Sequence, residues 1–441
     1  MQDSFLYQLA WLIAGIAIIV LLTARYRVHA FFALLISCFV VGLGVQLPME
    51  AIILAVKEGF GNIMKSLGII IILGTALGVI LEKTGSTRVM ADYILRKVGE
   101  SRAPIAMSIT GFIVGLPIFC DSGYIVLSGL NNSLAKRTGI PIAIMAVSLA
   151  TGLYAVHCLI PPHPGAAAAA GLLQVDFGVL IMAGIVVAVP AMIVGHLWAR
   201  HAGKNTIEVD HKESEPMEQA QLPSVTKAFL PVLVPILLIA VKSFLVVDEV
   251  EVKGALSLLL SLGDPVIALA IGVLLAFNCG RSWKQEKVSN VLQDAAEKAG
   301  GILVIIGAGG AFGAILVATN IGDHVSTSLS LGSLGIFFPF LITSVLKTAQ
   351  GSSTVAIITA ASIVQPLLPA LGLGTGHGPL LCVLAMGAGS MMISHANDAY
   401  FWVIAKFSGL EMKTMLNVYT VATVLMGLTS IVMVYILSKL L

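Results

Sequence analysis

Gly115-Leu116-Pro117-Ile118-Phe119-Cys120-Asp121-Ser122-Gly123 stands inside an apolar run, residues 104–136, and puts a proline, a carboxylic acid and glycines where a plain membrane helix would have none. A helix needs roughly 20 residues to cross the hydrocarbon core of a bilayer. This run is long for one crossing, and it is interrupted at Cys120-Asp121-Ser122-Gly123. Residues 334–371 have the same character, with the interruption at Gln350-Gly351-Ser352-Ser353-Thr354. Non-helical backbone at membrane depth persists only where protein packs around it or a watery cavity receives it. Both runs are therefore predicted to be re-entrant hairpins, each made of two half-depth helices joined by a polar tip.

The rest of the chain supports a lipid-solvated reading. Hydrophobic residues make up 58% of the 441 positions and charged residues 11%, against about 25% charged in soluble domains. A net charge of +2 with no basic tract gives no sign of nucleic-acid binding. The five cysteines, Cys38, Cys120, Cys158, Cys279 and Cys382, are scattered through apolar segments without a Cys-x-x-Cys pair. They read as small buried thiols, neither a disulfide framework nor a zinc site. The first apolar run follows Asp3 and is bounded by Arg25 and Arg27, which makes it a retained span and not a cleaved leader.

Spans are predicted near 5–23, 29–47, 60–82, 141–173, 177–199, 228–247, 264–280, 300–320, 376–407 and 413–440. Ten crossings put both termini on one side, and basic residues assign that side. With the termini outside, 19 of the 25 lysines and arginines fall in cytoplasmic segments, four fall outside, and Lys65 and Lys347 lie within apolar segments. That bias satisfies the positive-inside rule. The polar stretch 200–227 then becomes a cytoplasmic linker between halves 1–199 and 228–441. Gly74-Thr75-Ala76-Leu77-Gly78-Val79-Ile80-Leu81 aligns with Gly309-Gly310-Ala311-Phe312-Gly313-Ala314-Ile315-Leu316, and Thr84 with Thr319. The order span, hairpin, interrupted span, span recurs in each half. Five crossings per half invert the second, and interrupted segments at matching places in inverted repeats are the sequence mark of a transporter's binding region. Two amphipathic stretches, 86–98 and 284–298, are expected to lie along the interface.

The polar residues inside apolar segments are the candidate site. A central Asp costs about 2.5–3.5 kcal/mol on insertion scales, so Asp121 and Asp398 need a reason. Desolvation disfavours the charged form of a carboxyl, which makes each a candidate proton carrier; capping a half-helix N-terminus is the structural alternative. His157-Cys158-Leu159-Ile160-Pro161-Pro162-His163-Pro164-Gly165 cannot stay helical, because three prolines in four residues remove donors and clash with preceding carbonyls. The opened chain leaves N–H groups at the start of the helix over 166–171. It also places His163 where it contacts substrate or carries a proton, with a histidine held by a backbone carbonyl as the competing account, one that suits His157 better. Ser352, Ser353 and Thr354 after Gly351 offer hydroxyls suited to a hydroxylated carboxylate or a sodium ion, and bonding back to their own helix is the alternative. Lys347 and Lys65 are candidate partners for an acid, Lys65 equally a snorkelling side chain. Gly307, Gly309, Gly310 and Gly313 lie within a span, where glycine permits close helix packing. No metal-ligand spacing, phosphate-cradling loop or nucleophile triad occurs, so no metal, cofactor or enzymatic activity is expected.

Four stretches together resemble the gluconate permease family of bacterial gluconate:proton symporters, within the ion transporter superfamily. They are Gly115–Gly123, Pro161-Pro162-His163-Pro164-Gly165, Ala349-Gln350-Gly351-Ser352-Ser353-Thr354-Val355-Ala356 and Ser394-His395-Ala396-Asn397-Asp398. The resemblance runs over essentially the whole chain. It implies an all-α membrane protein of about ten transmembrane helices and two re-entrant hairpins in two inverted repeats, moving as an elevator and forming a homodimer in the bacterial inner membrane. It also implies proton-coupled uptake of gluconate or a related small organic anion, with sodium coupling, D-serine as substrate and a passive anion channel as alternatives. On this reading Ser122, Gly123, His163, Gly351, Ser352, Ser353, Thr354 and Asn397 bind substrate, and Asp121, His163 and Asp398 carry the coupling proton. Ala166 stands where the family often has proline, and Ala399-Tyr400-Phe401-Trp402 where it often has Ser-Gly-Phe-Trp. Both differences lie beside the expected site and bear on the choice of substrate.

Overall fold

The computed structural model describes residues 2–205, 222–245, 260–280, 285–319 and 333–441. Most of the predicted linker, residues 206–221, lies outside the described residues, as do Lys253, Arg281 and Lys284. The described residues contain helices and no strands. In chain order they are α1 (Gln2–Val20), α2 (Ala30–Gly44), α3 (Met49–Lys83), α4 (Ser86–Val98), α5 (Ala103–Gly115), α6 (Cys120–Thr138), α7 (Ile142–Leu159), α8 (Pro164–Leu172) and α9 (Phe177–Ala202). After the linker come α10 (Val225–Leu245), α11 (Pro265–Phe277), α12 (Gln285–Ala318), α13 (Phe337–Gln350), α14 (Ser353–Val364), α15 (Gly378–Met391), α16 (Ala399–Ser408) and α17 (Val421–Leu440). Six segments among the described residues are long and apolar enough to cross a bilayer: Met49–Lys83, Ile142–Leu172, Phe177–Ala202, Val225–Ser243, Val288–Ala318 and Met412–Leu440. All five cysteines are free and buried.

Two helices outgrow their predicted spans. α3 has 35 residues and α12 has 34; at 1.5 Å per residue each runs about 50 Å, well beyond a hydrocarbon core of about 30 Å. They pack along each other. A side chain added at Gly59 would strike the Gly310 carbonyl, and one at Gly310 would meet Ile63 and the Gly59 carbonyl. Glycine at both positions is what lets the two backbones approach. The stretch 284–298 is not a separate interfacial helix. Residues 285–298 are the opening turns of α12, because nothing between them and Gly300-Gly301 stops helix propagation; Val291 and Ala295 are buried while Glu297 and Lys298 are exposed. The stretch 86–98 does form its own helix, α4, which packs on α5 and α10 with Val89, Met90 and Ile94 buried. Lys65 is exposed on α3.

Both interrupted runs fold as helix pairs, α5 with α6 and α13 with α14, each pair in mutual contact. The first break falls at 116–119, earlier than the predicted 120–123, so Cys120, Asp121, Ser122 and Gly123 already belong to the first turn of α6. Pro117 accounts for this: it cannot donate to the ladder of α5 and its ring clashes with the carbonyl one turn earlier, whereas Asp and Ser are good residues for a first helical turn. The second break is Gly351 and Ser352. The prolines divide α7 from α8 at 160–163, and the second helix begins with Pro164 at its first position, earlier than the predicted 166.

Candidate functional site

Four helices start at these interruptions: α6 at Cys120, α8 at Pro164, α14 at Ser353 and α16 at Ala399. The first turn of each carries backbone N–H groups without a partner in its own helix, and its dipole favours negative charge. α6 packs on α16 and α8 on α14. A Cβ at Gly165 would lie 3.3 Å from the Thr354 Cα, which places the start of α8 against the start of α14.

The second hairpin tip is tied down at every turn. Gly351 has φ of +75° and faces the Asn397 carbonyl so closely that a Cβ would collide with it; only glycine meets both demands without strain. Asn397 is exposed, and its Nδ2 donates to the carbonyls of Thr348 (2.7 Å) and Ala349 (3.3 Å) at the end of α13. His395 Nε2 stands 3.2 Å from the same Thr348 oxygen. Ser352 caps α14, its Oγ accepting from the Val355 N–H at 3.3 Å. Ser353 Oγ lies 2.8 Å from Tyr154 Oη, and Tyr154 Oη donates to the Ser390 carbonyl at 3.1 Å. Tyrosine has one proton, so Ser353 is the donor of that pair and its hydroxyl proton is committed to Tyr154.

Lys347, fully buried, donates through Nζ to Asp398 Oδ2 at 2.8 Å. Asp398 also accepts from Ser394 Oγ, and its Oδ1 accepts from the Tyr400 N–H at 3.0 Å, capping α16. Every direction around this carboxylate is filled by an ammonium, a hydroxyl or a helix terminus. Asp121 is the opposite case. It forms no cap on α6, and its Oδ1 is buried without a hydrogen-bond partner. Tyr124, one turn after Asp121, and Tyr400, two residues after Asp398, meet edge to face with ring centroids 6.1 Å apart, which brings the first tip and the second break to one region.

The two histidines differ in their partners. His163, at the N-cap position of α8, is 97% buried and its Nε2 stands 2.7 Å from the Gly115 carbonyl at the end of α5; with a carbonyl opposite, Nε2 carries the proton. It therefore pins the first hairpin to the broken helix. His157 is the one whose Nδ1 is buried and unpartnered. Its ring stacks on Tyr154 (centroids 6.4 Å apart, planes at 13°) and meets His163 edge-on at 5.0 Å. Gln350, the last residue of α13, has both side-chain polar atoms buried and unpartnered. Gly123 faces Leu153, not open space. Ser122 lines a narrow cleft of about 10 Å³, room for about one water, with Thr75, Glu82, Phe119 and Lys298, between α3, α12 and the first tip.

Sequence reasoning missed Tyr154, His157 and Gln350 as site residues. Gln350 stood within the predicted interruption, and a side-chain amide directly before a left-handed glycine was the available signal. Tyr154 and His157 share one face of α7 by their spacing of three, just before the proline break.

Comparison with known proteins gives these features a context. The family model described as GntP family permease matches residues 7–440. A gluconate permease of Pseudomonas aeruginosa is 33% identical, over 99% of this chain and 98% of its own length. A high-affinity gluconate transporter of Escherichia coli is 30% identical over 90% of this chain and 91% of its own. The D-serine transporter DsdX of the same species is 29% identical over 99% of both. Among solved structures, the Alcanivorax borkumensis YdaH transporter superposes with a TM-score of 0.63 at 14% identity, over 89% of this chain and 90% of that one. Neisseria gonorrhoeae MtrF gives 0.60 at 15% identity, over 88% and 84%. These two likenesses concern the fold alone. With its match across nearly the whole chain and its apolar helices, the protein is a multi-pass membrane transporter and not an enzyme, and it belongs to the GntP family of permeases.

Proposed function

We propose that this permease is a proton-coupled symporter that carries gluconate or a related small hydroxylated carboxylate across the bacterial inner membrane, with both termini outside. The observation that carries the reading is Asp121: a carboxyl with a buried, unpartnered oxygen in the first turn of α6, beside the starts of α8, α14 and α16. Those termini favour a bound carboxylate. In a poorly solvated space, an anionic substrate and an ionised Asp121 raise each other's cost, as like charges do. The anion is therefore accommodated when Asp121 holds a proton, and anion and proton travel together. Asp398 is already neutralised by Lys347 and is not needed for this step.

Movement follows an elevator in this reading, in a homodimer whose two inverted halves supply scaffold and carrier. Polar ties hold the hairpins to the broken helices: His163 to Gly115, Tyr154 to Ser353 and Lys347 to Asp398. Against α3 the same elements present prolines to glycines, Pro162 to Gly74 and Pro117 to Gly78, a surface that can slide without breaking hydrogen bonds. A polar contact that does cross, Ser362 Oγ to the Gly309 carbonyl of α12 at 2.6 Å, has an alternative acceptor in the Ile358 carbonyl at 2.9 Å in its own helix.

The test is uptake into proteoliposomes. Gluconate should accumulate under an imposed inward proton gradient, and Asp121→Asn should lose accumulation while keeping counterflow exchange. Full accumulation by that variant removes Asp121 from coupling; accumulation driven by sodium with no pH gradient removes the proton.

A further inference from the structure

We propose that His157 and Gln350 form a subsite that reads the hydroxyl-bearing end of the substrate, distinct from the half-helix N-termini that receive its carboxylate. The inference rests on the symporter reading above and extends it to how substrate length is sensed.

Buried polar atoms in folded proteins are almost always hydrogen-bonded, so each exception asks for an explanation. Around the second tip most polar groups are satisfied within the protein: Ser352, Ser353, Tyr154, Lys347, Asn397 and Asp398 all have partners. His157 Nδ1 and both Gln350 polar atoms do not. These exceptions share a neighbourhood. Gln350 ends α13 three residues before Ser353, across the Gly351-Ser352 turn. From the other side of the tip, Ser353 holds the ring of Tyr154, on which His157 stacks. The turn between Gln350 and Ser353 is thus joined to the imidazole through the Tyr154 ring.

The chemistry of the set is specific. Gln350 offers two donors and an acceptor, and a neutral imidazole one donor and one acceptor. None of these groups carries a charge, and the nearby ammonium is already paired with Asp398. Such a set is poorly suited to bind a second carboxylate. It suits hydroxyl groups, which donate and accept at once, and adjacent hydroxyls on a carbon chain present both roles at the spacing of neighbouring side chains. His163 cannot contribute its Nε2, which faces the Gly115 carbonyl. A polyhydroxylated acid would fill both parts of the site, whereas a three-carbon acid would reach the carboxylate part alone.

The experiment is ligand-dependent thermal stability of the purified full-length protein, with gluconate and glycerate as probes, since a ligand that binds the folded state raises its stability. Gln350→Met keeps the volume and deletes both polar atoms. It should weaken gluconate binding about tenfold, the effect of losing one or two hydrogen bonds, and alter glycerate binding less than twofold. Without ligand it should melt at or above the wild-type temperature, because no internal bond is lost and unpartnered polar atoms leave the interior. His157→Leu should act in the same direction, and His157→Asn, whose amide can replace the ring nitrogen, should restore part of the gluconate affinity. Unchanged gluconate affinity in Gln350→Met overturns the proposal, and so does a marked fall in its ligand-free melting temperature, which would assign Gln350 to the fold. Wild-type protein that binds neither acid overturns this inference and the symporter reading together. Loss of accumulation in Asp121→Asn alongside full length discrimination in Gln350→Met overturns the subsite alone.

Discussion

The Lys347–Asp398 pair gives the sharpest energetic test of how the second tip is held. The ammonium and carboxylate lie 2.8 Å apart with side-chain exposures of 0% and 8%. Lys347→Met preserves most of the side-chain volume but leaves the Asp398 charge with the Ser394 hydroxyl and the Tyr400 N–H. Removing one member of a buried pair costs about 3–5 kcal/mol, mostly the penalty of the stranded charge. Asp398→Asn strands the ammonium instead and should cost a similar amount. It keeps the cap on α16, because asparagine caps as well as aspartate. The double variant Lys347→Met/Asp398→Asn buries no net charge at all, and exchanging a whole buried pair for neutral groups is often neutral. It should therefore be more stable than either single variant, with a coupling energy of at least about 3 kcal/mol across the cycle. Detergent-driven unfolding of the four proteins, followed by tryptophan fluorescence, measures that energy. Costs that simply add in the double variant would refute the pair as a structural latch. Single variants of wild-type stability that fail to bind gluconate would instead assign Lys347 to the substrate.

Two further substitutions probe the tips. Gly351→Ala must adopt φ near +75° and push against the Asn397 carbonyl; the backbone conformation alone costs about 1–2 kcal/mol, so uptake should be lost while circular dichroism still reports a helical protein, and wild-type uptake would refute the required close approach. His163→Leu should strand the buried Gly115 carbonyl at a cost of about 1–3 kcal/mol, seen as a lowered melting temperature that His163→Gln, long enough to reach the carbonyl, partly restores.

What could be read from the sequence was whatever local chemistry decides. Three prolines between 161 and 164 must open a helix, and Gly351 before two serines marks a tight turn followed by a new N-terminus; both features stand where expected. The first tip falls a few residues before the polar stretch, because Pro117 makes the break and Asp121 follows it within the next helix. The unity of α12 was missed for the converse reason: an amphipathic stretch and an apolar one have different faces, but no residue between them ends a helix. Long-range partners were out of reach. His157 and His163 look alike in sequence, and the choice between them depends on a carbonyl 48 residues earlier in the chain. Asp398 could be recognised as a cap, yet its neutralising lysine lies 51 residues away.

These distances in sequence separate two classes of buried polar group. In the first, every atom has an internal partner, and the group fixes geometry: Lys347 with Asp398, His163 with Gly115, Tyr154 with Ser353 and Ser390. In the second, atoms are desolvated with no internal partner; beside the tips and the proline break these are on Asp121, His157 and Gln350, with others, such as those of Asn131, further along the helices. Each atom of the second class costs stability while it lacks a partner, and three such residues gathered at the helix breaks mark where a ligand can supply one. The first class holds the second in place, because each unpartnered group sits within a turn of a partnered one on the same helix or next to its ring. A charge-neutralising proton at Asp121 and a hydroxylated anion at His157 and Gln350 would complete the set, each removing a cost that persists while the other is absent. On that reasoning proton and substrate should bind with positive cooperativity. Gluconate should bind more tightly as pH falls in wild-type protein and independently of pH in Asp121→Asn, and equal pH dependence in the two would show that the proton is carried elsewhere.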